Sequence, residues 1–268
     1  MNVVSPGLAA HETFDLFTKP YGRPRKIRKS SYFTKAEPLK LVSNGLKLTG
    51  YKWRAQPDND KKLLIIHGFA GSVGSFDRYL SGLLQAGYDV YAYEAPGHGT
   101  SEGSRLNTAI YAGVIEDAIV AHGPFDAFMA HSLGGLSLML ALHRIDLTNR
   151  PKVVLIAPAT ESTTAANQFF SFLQLPKSLR TAFETYVEKR GGQPLAWYSI
   201  SRVLAEVDAE ILWLHDENDT TTPINDVYPL LQKGLSNVHF YLTKGLGHSG
   251  IYKDNKVKKR IIEFLSQV

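Results

Sequence analysis

Phe125-Asp126-Ala127-Phe128-Met129, then Ala130-His131-Ser132-Leu133-Gly134, then Leu136-Ser137-Leu138-Met139-Leu140-Ala141-Leu142 is the stretch on which the reading of this chain turns. The first run is short and apolar, as a buried strand is, and the last is an apolar run that continues as a helix. Between them a serine sits among small residues at a sharp strand-to-helix turn. Such a turn forces Ser132 into a strained backbone conformation that exposes its hydroxyl, and only small residues at 130 and 134 let strand and helix approach so closely. The helix starts at the serine, so its unpaired N–H groups and positive dipole end face any negative charge developing beside the hydroxyl. Small-x-Ser-x-Gly also occurs in ordinary turns, so the rest of the chain decides its meaning.

Outward from that turn, strand and helix patterns alternate: strand 63–67, helix from about 75, strand 89–94, helix 107–121, strand 125–131, helix 133–145, strand 152–157. This alternation implies a mostly parallel central sheet with crossover helices on both faces. Ahead of it, Leu39–Val42 and Leu46–Tyr51 flank Asn44-Gly45, which reads as a β-hairpin with a tight turn, placed as an antiparallel edge. The alternation stops at Pro158-Ala159-Thr160 and resumes near Ala209. The expected division is a basic N-terminal segment over 1–38, a core over 39–160 and 206–268, and a small helical lid over 161–205. Seven aromatic residues fall in that last stretch, from Phe169 to Tyr198. Most are expected to fasten it to the sheet, with one or two reaching a pocket above Ser132; its shortness argues against a deep site for a large substrate.

Three loops follow strand-like runs. Leu63–Ile66 opens into His67-Gly68-Phe69-Ala70-Gly71-Ser72; Glu210–His215 opens into Asp216-Glu217-Asn218-Asp219-Thr220-Thr221-Thr222-Pro223; Val238–Leu242 opens into Thr243-Lys244-Gly245-Leu246-Gly247-His248-Ser249-Gly250. With these and the turn Ala95-Pro96-Gly97-His98-Gly99-Thr100-Ser101, the chain resembles an α/β-hydrolase of the lid-bearing esterase, monoacylglycerol-lipase and aminopeptidase-like group. The matching stretches span residues 63 to 250, and Ala130 stands where the commonest version of the motif has glycine.

The resemblance implies a catalytic Ser132, Asp219 and His248, in the chain order serine, acid, histidine. It also implies an oxyanion hole made by the backbone N–H groups of Phe69 and Leu133. Asp219 is preferred to Asp216 because it lies deeper in its loop and precedes Thr-Thr-Thr-Pro, which turns the chain; Asp216 reads as a loop-shaping residue. Of the nine histidines, His248 alone combines position, order and glycine-flanked surroundings. His131 is expected to point the wrong way along its strand, His67 and His98 to be structural hydrogen-bonders, and His215 to pack at a strand end. His11, His122, His143 and His239 have no catalytic context.

Composition narrows the setting. The chain has 268 residues, 44% hydrophobic and 21% charged, ordinary for a soluble enzyme of one α/β domain with an insertion. No apolar run approaches a membrane span. Met1–Gly7 lacks the basic start of a secretory signal, so a cytoplasmic location is the default expectation. The absence of cysteine excludes disulfides, a thiolate nucleophile and Cys-ligated metals. The net charge of +5 concentrates at the start, where residues 1–60 carry 11 Lys/Arg against 5 Asp/Glu. That basic arm, including Arg23, Arg25, Lys26, Arg28 and Lys29, is compatible with peripheral contact at an anionic membrane surface. A solvated, partly extended segment wrapping the domain is the simpler account, and no aromatic interleaving suggests a nucleic-acid partner.

The resulting expectation is a serine hydrolase cleaving a small or medium carboxylic ester or thioester through an acyl-enzyme on Ser132, with no cofactor and no metal. Amidase or peptidase, carbon–carbon bond hydrolase and acyltransferase activities share the machinery. Dehalogenases and epoxide hydrolases place a carboxylate where Ser132 stands. A ligand-binding member of the fold without turnover is the rival from another class.

Overall fold

Strands buried on both faces need apolar side chains throughout, and five such strands form the middle of the sheet. They are β3 (Lys62–Ile66), β4 (Asp89–Tyr93), β5 (Ala127–His131), β6 (Lys152–Ile156) and β7 (Glu210–Asp216). The hairpin β1 (Glu37–Ser43) and β2 (Leu46–Trp53) and the last strand, β8 (Val238–Thr243), complete an eight-stranded sheet in the order β1, β2, β4, β3, β5, β6, β7, β8. Pairing is antiparallel from β1 to β4 and parallel across the rest. Asn44 and Gly45 take φ of 48° and 76°, as the expected tight hairpin turn requires. The molecule is described from a computed structural model over residues 5–20, 30–55 and 60–267.

Among the described residues ten α-helices accompany the sheet: α1 (Pro6–Thr18), α2 (Asp77–Gln85), α3 (Thr108–His122), α4 (Leu133–Leu142), α5 (Ser162–Phe172), α6 (Lys177–Gly191), α7 (Ile200–Val203), α8 (Tyr228–Gln232), α9 (Gly247–Gly250) and α10 (Asn255–Ser266). The period of two along each strand splits the interior into two layers. Leu64, Ile66, Phe128 and Ala130 face one cluster with α3 and α4 residues such as Ile115 and Leu138. Leu63, Ile65, Ala127 and Met129 face the other, with Leu80 of α2 and Ile261 of α10. In α10 the buried residues Val257, Ile261, Phe264 and Leu265 recur at helical spacing, so one stripe closes that layer while the lysines face water.

The N-terminal segment departs from the extended reading. Residues 6–18 form a helix whose buried face is Ala10, Thr13, Phe14 and Thr18. Ser5 caps it by accepting from the Leu8 N–H at 3.3 Å, with Pro6 in the first turn. The physical reason is aromatic packing on α5 and α6: Phe17 meets Phe169 and Phe183 at ring-centroid distances of 5.1 and 5.5 Å, and Phe14 meets Tyr186 at 5.4 Å. The Leu106 N–H donates to the Thr18 carbonyl at 2.7 Å, and Arg105 pairs with Asp15 at 2.6 Å. The expectation of contact through Arg23, Arg25, Lys26, Arg28 and Lys29 falls outside the described residues. The 161–205 stretch holds α5, α6 and α7, inserted between β6 and β7.

Ala130 is fully buried, with Ile66 and Leu155 opposite it on the neighbouring strands. Two extra methyl groups there must displace packed neighbours. Ala130→Val is therefore expected to lower unfolding free energy by about 1–3 kcal/mol, read by urea denaturation; an equally stable variant would show spare room at the turn.

Candidate active site

Ser132 ends β5 and begins α4 with φ 55° and ψ −126°, a backbone region that costs a non-glycine residue roughly 1–3 kcal/mol. Its surroundings over-determine that conformation. The Ser132 N–H donates to the Ile156 carbonyl at 3.1 Å, and the Ser132 carbonyl accepts from Gly135 and Ala159 at 2.9 and 3.1 Å. Gly134 is required by close approach, since a Cβ there would stand 2.5 Å from the His67 carbonyl oxygen. At Gly68 a Cβ would meet His131 Nδ1 at 2.9 Å and the Ser132 Cβ at 3.0 Å. The β3 loop and the serine turn thus touch through backbone.

Loops from β7 and β8 bring the other two candidates to the serine. His248 Nε2 lies 3.0 Å from Ser132 Oγ, and His248 Nδ1 lies 2.8 Å from Asp219 Oδ2. With the ring neutral, Nδ1–H donates to Asp219 and Nε2 accepts from the serine hydroxyl. Asp219 is buried and also accepts from Thr221 N–H, Thr222 N–H and Thr222 Oγ1 at 2.8, 2.9 and 2.8 Å. Burial pushes its carboxyl pKa up, but His248 and the Thr222 donors outweigh burial and hold it below the usual value.

Asp216 points elsewhere. It accepts from Thr243 Oγ1 at 2.7 Å and from the Leu246, Gly247 and Asn218 N–H groups at 3.0 Å each. It ties the loop carrying His248 to the loop carrying Asp219. Its pKa is raised by burial and lowered further by these donors, for a net fall.

The structure adds two residues. Thr222, read only as part of a turn, holds Asp219 and lies 3.2 Å from His248 Nδ1 through its hydroxyl. The Thr-Thr-Thr run was visible, but which hydroxyl turns inward depends on the loop's path. His131, read only as pointing the wrong way along its strand, packs on the histidine loop: its ring lies 4.7 Å from that of His248, and its Nε2–H donates to the His248 carbonyl at 3.2 Å. The loop after β8 folds over to meet this side chain. Burial, then the neighbouring His248, push its pKa down to about 3. His67 and His98 are hydrogen-bonded to backbone: His67 Nε2 accepts from the Ala95 N–H at 3.0 Å, and His98 meets the Pro96 and Phe69 carbonyls.

Phe69 and Leu133 both line the cavity that Ser132 opens on. Among the described residues their N–H groups have no protein acceptor. The cavity has a volume of about 540 Å³, within the usual range for small-molecule sites. Its walls come from four places: Phe14 and Phe17 of α1, the start of α3, Leu136 of α4, and Phe169, Val187 and Tyr198 of the insertion. Of the seven insertion aromatics, Phe169 and Tyr198 reach it. Phe183 is buried in the packing and Phe172 is exposed.

Residues 57–216 match the family model described as "Serine aminopeptidase, S33". The chain belongs to that family of α/β-hydrolases. No curated protein sequence matches it. In structure it is similar to the esterase Pf2001 of Pyrococcus furiosus, at 19% identity and TM-score 0.68, over 92% of this chain and 98% of that one. It is also similar to the carboxylesterase CesB (YbfK) of Bacillus subtilis, at 16% identity and TM-score 0.63, over 98% and 99%. A third likeness is to the esterase EaEST of Exiguobacterium antarcticum, at 13% identity and TM-score 0.66, over 86% and 100%. At these identities the neighbours establish the fold.

Two outcomes are expected at the site. Asp219→Asn lowers kcat by about ten-thousandfold with the fold intact. Asp216→Asn, whose amide would face N–H and O–H donors, costs mainly stability; steady-state kinetics beside thermal melts separates the two. The second concerns acid. An unfolded histidine titrates near pH 6.5 and folded His131 near 3, so between those values the unfolded chain binds the extra proton. Stability therefore falls as pH drops through that window, and His98 and His215, also lowered by burial, act in the same direction. His131→Phe is expected to show a shallower fall in urea midpoint from about pH 7 to 5.

Proposed function

We propose that this protein is a serine hydrolase that cleaves a small or medium carboxylic ester, or thioester, through an acyl-enzyme on Ser132. The observation that carries the reading is the hydrogen-bonded series Asp219–His248–Ser132 opening on an apolar cavity. His248, oriented by Asp219, takes the Ser132 proton as the oxygen attacks the substrate carbonyl. The Phe69 and Leu133 N–H groups receive the oxyanion, each such donor contributing about 3–4 kcal/mol to the transition state. His248 returns the proton to the departing alcohol or thiol oxygen or sulfur. It then deprotonates water, which releases the acid and restores Ser132. Helices α5 to α7 with α1 serve as the lid over this chemistry and exclude bulk water from the acyl chain.

The family's description raises a second reading, removal of N-terminal amino acids. Holding an α-ammonium in a cavity calls for carboxylates, because an unpaired buried charge is costly. No Asp or Glu is among the cavity's described lining residues. In the insertion, Glu184 pairs with Arg180 at 2.8 Å, Glu161 accepts from Ser199 at 2.9 Å, and Glu188 is exposed away from the cavity. An ester asks only for apolar surface around its acyl group, which favours the esterase reading.

A fluorophosphonate probe is expected to label the wild type and not Ser132→Ala. Across p-nitrophenyl esters of rising chain length and aminoacyl p-nitroanilides, kcat/KM should be highest for an ester. Preference for an aminoacyl amide would establish the peptidase reading, and a folded wild type that the probe leaves unlabelled would favour a binding protein.

A further inference from the structure

We infer that the substrate of this site carries an anionic group, a carboxylate or a phosphate, which Arg190 receives at the cavity rim. The inference rests on the hydrolase reading and names its substrate class. Arg190 lies in the last turn of α6 and is the one charged side chain among the described residues lining the cavity. It has no carboxylate within ion-pair reach among the described residues; its contacts are the Tyr186 hydroxyl at 3.5 Å and the Phe14 ring, 5.8 Å from guanidinium to centroid.

A structural account of this arginine exists, since cations suit helix C-termini. Lys189, its neighbour in the same turn, meets that need equally well. Only Arg190 lines the cavity, and it does so beside Phe14, which lines it too. The Phe14 ring, 5.8 Å from the guanidinium, is a cation–π neighbour and leaves the N–H fork for an anion, which carboxylate and phosphate match in geometry. The surrounding walls are apolar, so an anion there meets few competing dipoles. A cationic substrate would meet the arginine and no carboxylate. The ligand that fits is an amphiphile: an apolar acyl chain along Phe17, Phe169 and Leu136, with an anion at Arg190.

Two substrate pairs of matched acyl length test this and separate the two anions. One is mono-p-nitrophenyl adipate against p-nitrophenyl hexanoate; the other is decanoyl lysophosphatidate against monodecanoylglycerol. The quantity read is the ratio of kcat/KM, anionic over neutral. One charge-assisted contact corresponds to a ratio of about tenfold, carried by KM and reduced by salt. Arg190→Gln should bring the ratio toward one, whereas Lys189→Gln should leave it in place. A preference in the first pair alone identifies a carboxylate, and in the second alone a phosphate. Equal or neutral-preferring ratios in both pairs overturn the inference, as does a preference that Arg190→Gln does not diminish. Isothermal titration of the same esters into Ser132→Ala measures binding without turnover. Arg190-dependent binding without hydrolysis by the wild type would retain the anion site and discard the hydrolase reading.

Discussion

One backbone approach governs this molecule: the first turn of α4 lies against the end of β3, closely enough that a single Cβ at Gly134 would stand 2.5 Å from the His67 carbonyl oxygen. The strained Ser132 conformation follows, because the chain must reverse from strand to helix in the space left by that contact. The same approach brings Phe69 and Leu133 to the lining of one cavity. The neighbouring strand helps to hold the strain, through Ile156 and Ala159 on the segment leaving β6. A locally costly conformation persists where packed elements on several sides leave no alternative. The candidate nucleophile is therefore a property of three strands, although its signature occupies five residues.

The two aspartates after β7 divide labour in a way that burial alone does not reveal, as both are nearly inaccessible. Asp216 spends both oxygens on N–H and O–H donors from its own loop and the β8 loop. Asp219 keeps one oxygen directed at His248 while Thr221 and Thr222 satisfy the other. The first fixes where the histidine loop passes, and the second fixes which ring nitrogen carries the proton. On that geometry, losing the first would shift the loop that carries His248, and losing the second would leave the ring in place without a fixed tautomer. Their pKa values fall for the same general reason, donors outweighing burial, yet only one touches the histidine.

Legibility in the sequence followed the range of the interactions. The hairpin at Asn44-Gly45, the parallel strands and the order Ser132, Asp219, His248 were readable because each rests on local patterning or on chain order. The family match over 57–216 and the eight-stranded sheet accord with that reading of the fold. The contact of His131 with the His248 loop and the inward turn of the Thr222 hydroxyl were not readable, because their partners lie on other loops or depend on a loop's path, and no local pattern says which way a loop returns. The N-terminal helix is a different case. Ser5 as cap, Pro6 in the first turn and the spacing of Ala10, Phe14 and Phe17 were all present. The prolines and cations that follow, Pro20 to Lys29, carry the opposite, extended pattern.

That helix also bears on where specificity resides. On the proposed reading, the loops of the sheet carry the serine, acid, base and oxyanion donors, a set that would serve esters and amides alike. What distinguishes substrates is the wall opposite, and here it is built from α1, α3 and the insertion. Phe14 and Phe17 reach the cavity because Phe169, Phe183 and Tyr186 hold their helix in place. The family model matches 57–216, which includes β3 to β7 and the insertion and excludes α1, β8, Asp219 and His248, and no Asp or Glu is among the described residues that line the cavity. Two of the five aromatic residues that line the cavity, Phe14 and Phe17, lie outside the matched region. On that reading, loops of the sheet hold the reacting groups, and α1 shapes part of the cavity that would select the substrate.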